Sequence, residues 1–202
     1  MSLSEIIPIA LKTIYNGIDF SQFKYNGKKE DYFACYGRII EQKGIHHAID
    51  ACLKTGNRLK IAGLHYEGHG GSDYWSTKIA PFIDDKTITY KGFLKKQSIK
   101  NSFLGKAKAL LFPIEWDEPF GLAIIEANAC GTPVIAFNRG SVSEIIKNGI
   151  NGYIVKNKQE MIKVMQKVDL IDRIKCREYV KKRFSIEKMV LEYEEVYKSL
   201  TK

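Results

Sequence analysis

A chain of 202 residues, 45% of them hydrophobic, can bury one substantial core. No apolar run approaches the ~20 residues that span a bilayer, and four scattered cysteines (Cys35, Cys52, Cys130, Cys176) with no Cys-x-x-Cys pair exclude a disulfide framework or a thiolate metal site. The formal net charge of +9 narrows the partners to nucleic acid, anionic membranes or phosphorylated ligands.

In chain order, 13–19 reads as a strand running into a turn and 32–36 as a buried strand. Residues 44–54 read as a helix with Ile45, Ala48, Ile49 and Cys52 on one face. Strand 58–62 ends at Gly63, and 64–72 is a glycine-rich loop suited to be a lid. The loop lacks the Gly-Lys-Ser/Thr ending of a P-loop, which excludes that ATPase motif. His65 and His69 within it are weak metal ligands with only Glu67 or Asp73 nearby, while His46 and His47 read as ordinary helix residues. A helix over 72–83 broken by Pro81, a strand over 87–90 closed by Gly92, a helix over 94–104 and a strand over 107–112 follow. Then come helix 121–130, strand 134–137, a short helix from 143, strand 152–155 and helix 159–168.

From Lys156 to Arg183 the chain is dense in Lys and Arg, a pattern whose default is a solvated helix face. Attraction to an anionic bilayer that carries a lipid acceptor is the alternative use. The tail 185–202 carries Ile186, Met189, Val190, Tyr193, Val196, Tyr197 and Leu200 at helical spacing, with Ser185 as N-cap. No basic-then-apolar leader opens the sequence, so a cytoplasmic place is expected, with the inner face of the membrane as a further option.

Strands alternating with helices predict an α/β fold: one doubly wound, Rossmann-like parallel sheet with C-terminal helices. The boundaries are 1–14 as a linker or strand remnant, 15–184 as the sheet domain and 185–202 as an amphipathic helix. Ligands of such sheets sit beyond the carboxyl ends of the strands. Gly37-Arg38, Gly63, Gly92-Phe93, 115–118 and Arg139-Gly-Ser141 all fall at such ends, so one crevice is expected there.

The most informative stretch is Glu115-Trp-Asp-Glu-Pro-Phe-Gly-Leu-Ala-Ile-Ile-Glu126. Pro119 suits a first helical turn, which puts Glu118 at the lip and Glu126 roughly 12 Å further along at ~1.5 Å per residue. Amides near Gly121 and Leu122 are then free for an anion. A carboxylate at each end with phosphate-binding amides between suits a nucleotide sugar. Two glutamates eight apart, taken alone, read as a helix cap and a solvated residue; Pro-Phe-Gly between them and Cys-Gly-Thr-Pro after them favour the site. Arg38 and Lys43 flank the loop Gly37-Arg-Ile-Ile-Glu-Gln-Lys-Gly44 and can neutralise a diphosphate.

These motifs resemble the Glu-x7-Glu signature of retaining glycosyltransferases, most closely glycosyltransferase family 4, and the resemblance extends from Tyr15-Asn-Gly-Ile-Asp19 through Gly37-Arg38 and Lys43-Gly44 to Gly152-Tyr153. It implies that Glu126 binds the ribose and that Glu118 sits near the donor sugar. Arg38 and Lys43 would act on the diphosphate and the leaving nucleotide. Phe120, Gly121 and Leu122 would line the donor, Gly92 and Phe93 would hold the base, and Arg139 would belong to the same site. Here the turn after the next strand reads Arg139-Gly-Ser-Val-Ser-Glu144, unlike the usual Gly-Gly-Pro-Glu form. No Asp-x-Asp pair is present, so no metal or other cofactor is expected, and retention follows if the acceptor attacks from the face the nucleotide leaves.

The resemblance also implies a separate N-terminal acceptor-binding domain not included in these residues, so the chain alone should bind a nucleotide-sugar donor without transferring sugar. In that family the last helix crosses to the other domain; packing on its own domain is the alternative. The competing function is a non-catalytic module for a nucleotide or phosphate ligand. Nucleic acid is not expected, because no exposed aromatics interleave with the cations.

Overall fold

Six short apolar runs hydrogen-bond side by side as β1 (Phe33–Tyr36), β2 (Leu59–Ala62), β3 (Ile88–Tyr90), β4 (Leu110–Phe112), β5 (Val134–Phe137) and β6 (Gly152–Val155). The structure is a computed structural model and describes residues 12–65 and 72–200. Every neighbouring pair is parallel, in the order β3-β2-β1-β4-β5-β6. Parallel pairing requires a crossover between strands. Here these are α1 (Ile45–Thr55), α2 (Ser72–Tyr74) with the π turn Trp75–Ile79, α3 (Gln97–Gly105), α4 (Leu122–Ala129) and α5 (Val142–Ile145). After β6 come α6 (Lys158–Met165), α7 (Arg173–Phe184) and α8 (Ile186–Leu200). The order reverses between β1 and β4, the topological switch point where such sheets open a crevice.

The two-residue side-chain period of a strand divides the core into two layers. Phe33, Cys35, Leu59, Ile61, Leu111, Ile135 and Phe137 join one buried cluster with α1 and α6. Ala34, Leu110, Phe112, Val134 and Ala136 join the other with α3, α4 and α7. Leu110 and Leu111 are adjacent, both buried and in opposite layers, so a one-residue slip would exchange the two faces of β4.

Four readings change. Residues 13–19 form no strand: Ile18 makes a single parallel bridge to Ser185, with its N–H on the Phe184 carbonyl at 3.0 Å. The helix read over 72–83 is three pieces, ending in a 3-10 turn (Ala80–Phe82) that has Pro81 in its first turn. Pro119 does not open α4; the helix starts at Leu122 with Gly121 as N-cap. Finally, α7 lies within the run read as solvated, yet Arg173 and Arg177 are built into the fold. Arg173 donates to the carbonyls of Asn26 (3.2 Å), Gly105 (2.6 Å) and Ala107 (3.0 Å) and to Thr132 Oγ1 (2.7 Å). Arg177 donates to the carbonyls of Phe20, Phe23 and Ala129. The last carbonyls of a helix lack intrahelical partners, and the two guanidinium forks supply donors at the ends of α3 and α4.

The lid reading of 64–72 and the metal reading of His69 fall largely or wholly outside the described residues, as does most of 1–14. All four cysteines are free and buried. Burial pushes the thiols of Cys52, Cys130 and Cys176 up to about 12, and that of Cys35 well above its ordinary value, so they remain protonated packing groups. Among the described residues no helix is long and apolar enough to cross a membrane. The tail is helical as read, and no residue of α8 is buried.

Candidate functional site

At the switch point the loops after β1, β2, β3 and β4 surround a cavity of about 480 Å³. The first loop contributes Tyr36, Gly37, Arg38 and Lys43, the second Gly63 and Leu64, and the third Phe93. Phe112 ends β4, 118–121 come from the β4–α4 connection, and Leu122, Ala123 and Glu126 from the first two turns of α4. The loops are stitched through backbone. Gly63 N–H donates to the Gly92 carbonyl at 3.0 Å, Gly37 N–H to the Ala62 carbonyl at 3.1 Å, and Ile39 N–H to the Leu64 carbonyl at 2.8 Å. Gly63 has φ +153°, and a Cβ there would stand 1.7 Å from the Gly37 carbonyl oxygen, so only glycine permits this approach. Gly92 therefore joins the stitching and does not line the cavity; its neighbour Phe93 does, half exposed at 52%. Leu64 and Leu122 are also exposed. Ligand pockets are commonly lined by such open apolar side chains.

Both carboxylates of the Glu-x7-Glu spacing reach this cavity, and each meets a lysine. Lys43 Nζ lies 2.6 Å from Glu118 Oε2, and both side chains are mostly buried. Trp116 Nε1 donates to the same oxygen at 3.1 Å, and the Lys43 ammonium lies 5.2 Å from the Trp116 ring centroid. Lys100 Nζ, from α3, lies 3.0 Å from Glu126 Oε1 and 5.4 Å from the Tyr36 ring centroid. Burial disfavours the Lys100 ammonium, but the charge and hydrogen bond of Glu126, aided by Tyr36, outweigh it and leave its pKa above the ordinary lysine value. Burial, then the Glu126 charge, pushes the Tyr36 hydroxyl up. Arg38 is exposed and has no ion-pair partner among the described residues, so its guanidinium donors can serve a ligand. Gly121, Leu122 and Ala123 line the cavity at the start of α4, and no side chain caps that helix. The Leu122 and Ala123 amides are thus open to an anion, while that of Ile124 donates to the Gly121 carbonyl at 2.9 Å.

Arg139 is not part of this cavity. It lines a second pocket of about 550 Å³ with His47, Glu115, Lys156 and Lys158. Arg139 follows β5, which lies beyond β4 from the switch point, so its side chain opens on the other flank of the 115–118 loop. Its turn acts through backbone. Ser141 N–H donates to the Glu118 carbonyl at 3.0 Å, Gly140 N–H to Asp117 Oδ1 at 3.2 Å, and Ser141 Oγ to the Phe120 carbonyl at 2.8 Å. A Cβ on Gly140 would lie 2.4 Å from the Glu118 carbonyl oxygen. The Arg139-Gly-Ser141 turn therefore sets the height of Glu118. Phe120 lines the cavity with a ring packed against Tyr15 and Phe184.

Two residues escaped the sequence reading. Asn16 lines the cavity, beside Tyr15, whose hydroxyl donates to Glu144 Oε2 at 2.8 Å; the Tyr15-Asn-Gly-Ile-Asp19 run was the available signal. Lys100 sits in a lysine-rich helix start and gave no signal at all.

A doubly wound sheet with paired carboxylates and cations at its switch point defines an α/β domain with a charged crevice. The sequence profile of the family described as "Glycosyl transferases group 1" matches residues 18–183, and the chain belongs to that family. It is 28% identical over 197 residues to the uncharacterized glycosyltransferase MJ1178 of Methanocaldococcus jannaschii, covering 93% of this chain and 53% of that protein. Anabaena Alr3699/HepE, solved in complex with UDP, shares the fold at TM-score 0.80 and 19% identity, over 93% of this chain and 57% of that one. The C-terminal domain of the group 1 family protein LpcC from Francisella tularensis aligns over its whole length and 84% of this chain, with TM-score 0.69 and 22% identity. The chain spans about half the length of the curated relatives it matches.

Proposed function

We propose that the cavity binds a nucleoside-diphosphate sugar and that the chain is the donor-binding half of a retaining glycosyltransferase acting on a glycan or lipid-linked hydroxyl. The observation that carries this reading is the convergence of Arg38, Lys43, Glu118 and Glu126 on one cavity at the switch point. Glu126 accepts from the ribose hydroxyls. Arg38, Lys43 and the first amides of α4 hold the diphosphate, as preorganised charge that needs no metal at the leaving group. Glu118 is fixed as a carboxylate acceptor by Lys43 and Trp116 and orients the sugar. The acceptor oxygen bonds to the anomeric carbon from the face the diphosphate leaves, and its proton passes to the departing phosphate oxygen. A relative solved with UDP makes uridine diphosphate the first ligand to test.

Positioning two reactants can lower a barrier by ~7–11 kcal/mol. The described residues supply one sheet and one crevice, so we propose that these 202 residues bind donor but transfer no sugar unaided. Thermal-shift and calorimetric titration with uridine, guanosine and adenosine diphosphates should show saturable binding, and single-stranded RNA should show none. Stabilisation by RNA but by no diphosphate would overturn the donor reading. Sustained transfer to an added acceptor, abolished by Glu118→Ala, would overturn the half-enzyme reading and leave the donor site standing.

A further inference from the structure

On the far side of the 115–118 loop from the crevice, the first turn of α1 meets the loop after β4. His46 and His47 follow one another on α1 with ring centroids 4.0 Å apart. His47 Nε2 lies 3.0 Å from Glu115 Oε1. One possible ligand atom from each of His46, His47 and Glu115 falls within 4.8 Å of the other two. Ligands of a tetrahedral site stand ~2.0–2.2 Å from the ion, so side-chain rotation of an ångström or so would gather the three atoms around one ion.

The backbone beneath is already fixed. Glu115 N–H donates to the Gln42 carbonyl at 2.9 Å, and Gly44 lies so close to Pro113 that a Cβ would stand 2.0 Å from its carbonyl oxygen. His46 has the kind of outer partner that ligating imidazoles carry: its Nδ1 lies 3.0 Å from the Tyr74 hydroxyl, and that oxygen also accepts its backbone N–H at 3.1 Å. That leaves Nε2 as the ring nitrogen of His46 with no hydrogen-bond partner among the described residues. His47 is incompletely satisfied as it stands, because its Nδ1 is buried with no hydrogen-bond partner.

We propose that His46, His47 and Glu115 form a binding site for a first-row transition dication, Zn2+ foremost. Two imidazoles and one carboxylate suit zinc, nickel or copper, whereas magnesium and calcium want oxygen ligands. Three protein ligands leave a coordination position open, and His47 and Glu115 both line the 550 Å³ pocket that also holds Arg139, Lys156 and Lys158. Those cations oppose a bare dication and favour an anionic fourth ligand, such as a phosphate or carboxylate. The ion takes no part in sugar transfer. It ties the loop that ends in Glu118 to α1, and so stiffens the floor between the two pockets. The inference stands apart from the donor reading, and its test uses no nucleotide.

The test is calorimetric titration of the purified chain with zinc chloride in a non-coordinating buffer, with and without inorganic phosphate. Wild type should take up one equivalent and show a rise in melting temperature that follows mass action. His47→Ala and Glu115→Gln should abolish that equivalent. Tyr74→Phe should weaken it by about 10–100-fold, the usual consequence of losing an outer partner. His65→Ala, outside the cluster, should leave it intact. Glu115 is exposed, so Glu115→Gln keeps the test sound even if a histidine variant misfolds. Zinc binding that is absent, equalled by magnesium, or unchanged in Glu115→Gln and His47→Ala would overturn the site.

Discussion

Arginine and lysine at the crevice and arginine at the start of α7 are the same chemistry put to opposite uses. Arg38 is exposed with no ion-pair partner among the described residues, and Lys43 faces a carboxylate inside a cavity. Arg173 and Arg177 instead face three carbonyls each, with the Thr132 hydroxyl as a fourth acceptor for Arg173, mostly at the ends of helices and in the segment before β1. A guanidinium whose donors are already spoken for by backbone is part of the fold. One whose donors point into a cavity is available to an anion. The +9 charge is thus several populations, and only the partners of each cation tell them apart.

The largest expected effect breaks the structural population. Arg173→Met fills similar space but leaves backbone carbonyls of Asn26, Gly105 and Ala107 without their donor. Each unsatisfied buried polar group costs about 1–3 kcal/mol, so urea unfolding should show a loss of about 3 kcal/mol or more. A variant as stable as wild type would mean that water replaces the guanidinium there and that Arg173 is not part of the fold's hydrogen bonding. Arg173→Lys should rescue only in part, because a single ammonium cannot reproduce the fork.

Next in size is the crevice population, read by ligand affinity and not by stability. Glu126→Ala should weaken uridine diphosphate binding through the ribose, and Arg38→Ala through the phosphates. A charge-assisted hydrogen bond contributes about 1.5–3 kcal/mol, so calorimetry should report losses of roughly tenfold or more, with a shallower salt dependence in Arg38→Ala. Arg139→Ala, on the other flank, should bind like wild type. If Arg139→Ala fails and Arg38→Ala does not, the two pockets have been assigned the wrong way round.

What the sequence disclosed follows from which interactions are local. The sheet was legible because the strands are short apolar runs, four of them closed by a nearby Gly (Gly37, Gly63, Gly92, Gly140), and because helical spacing follows them. Glu118 and Glu126 were legible because Pro-Phe-Gly and Cys-Gly-Thr-Pro punctuate the helix between and after them. The start and burial of α7 were not, since its inner face carries Arg173 and Arg177 beside Cys176, Val180 and Phe184, and a face that is part cationic reads as polar. Arg139 was misplaced because strand order is a long-range fact: periodicity shows that β5 has a carboxyl end, but not that β4 separates it from β1. The Lys100–Glu126 pair spans α3 and α4 and leaves no trace in either helix alone.

Lys100 gives a smaller and more selective test. It touches Glu126 and lies by the Tyr36 ring, without lining the cavity itself, so on the proposed reading it positions Glu126 for the ribose instead of binding ligand. Lys100→Met should weaken uridine diphosphate binding by about 1 kcal/mol, the scale of one net hydrogen bond. The loss should shrink for the 2′-deoxy analogue and vanish in a Glu126→Ala background. An equal loss in all three measurements would mean that Lys100 acts on the phosphates or on the fold at large.

The smallest effect belongs to the third population, the lysines of α7 that face water. Lys175, Lys181 and Lys182 are exposed and make no ion pair among the described residues. Surface substitutions away from caps and networks usually change stability by less than about 0.5 kcal/mol. Replacing each by Ser should therefore leave the urea midpoint nearly unmoved and uridine diphosphate affinity unchanged at moderate salt, where charges beyond ~10 Å are screened. The same triple variant decides whether this face has another use. Each lysine near an anionic bilayer contributes about 1 kcal/mol of attraction. If wild type partitions onto phosphatidylserine vesicles and the variant does not, these cations serve a membrane surface and the solvated reading fails. If neither binds, α7 divides cleanly: its inner arginines hold helix ends together, and its outer lysines keep the domain in water.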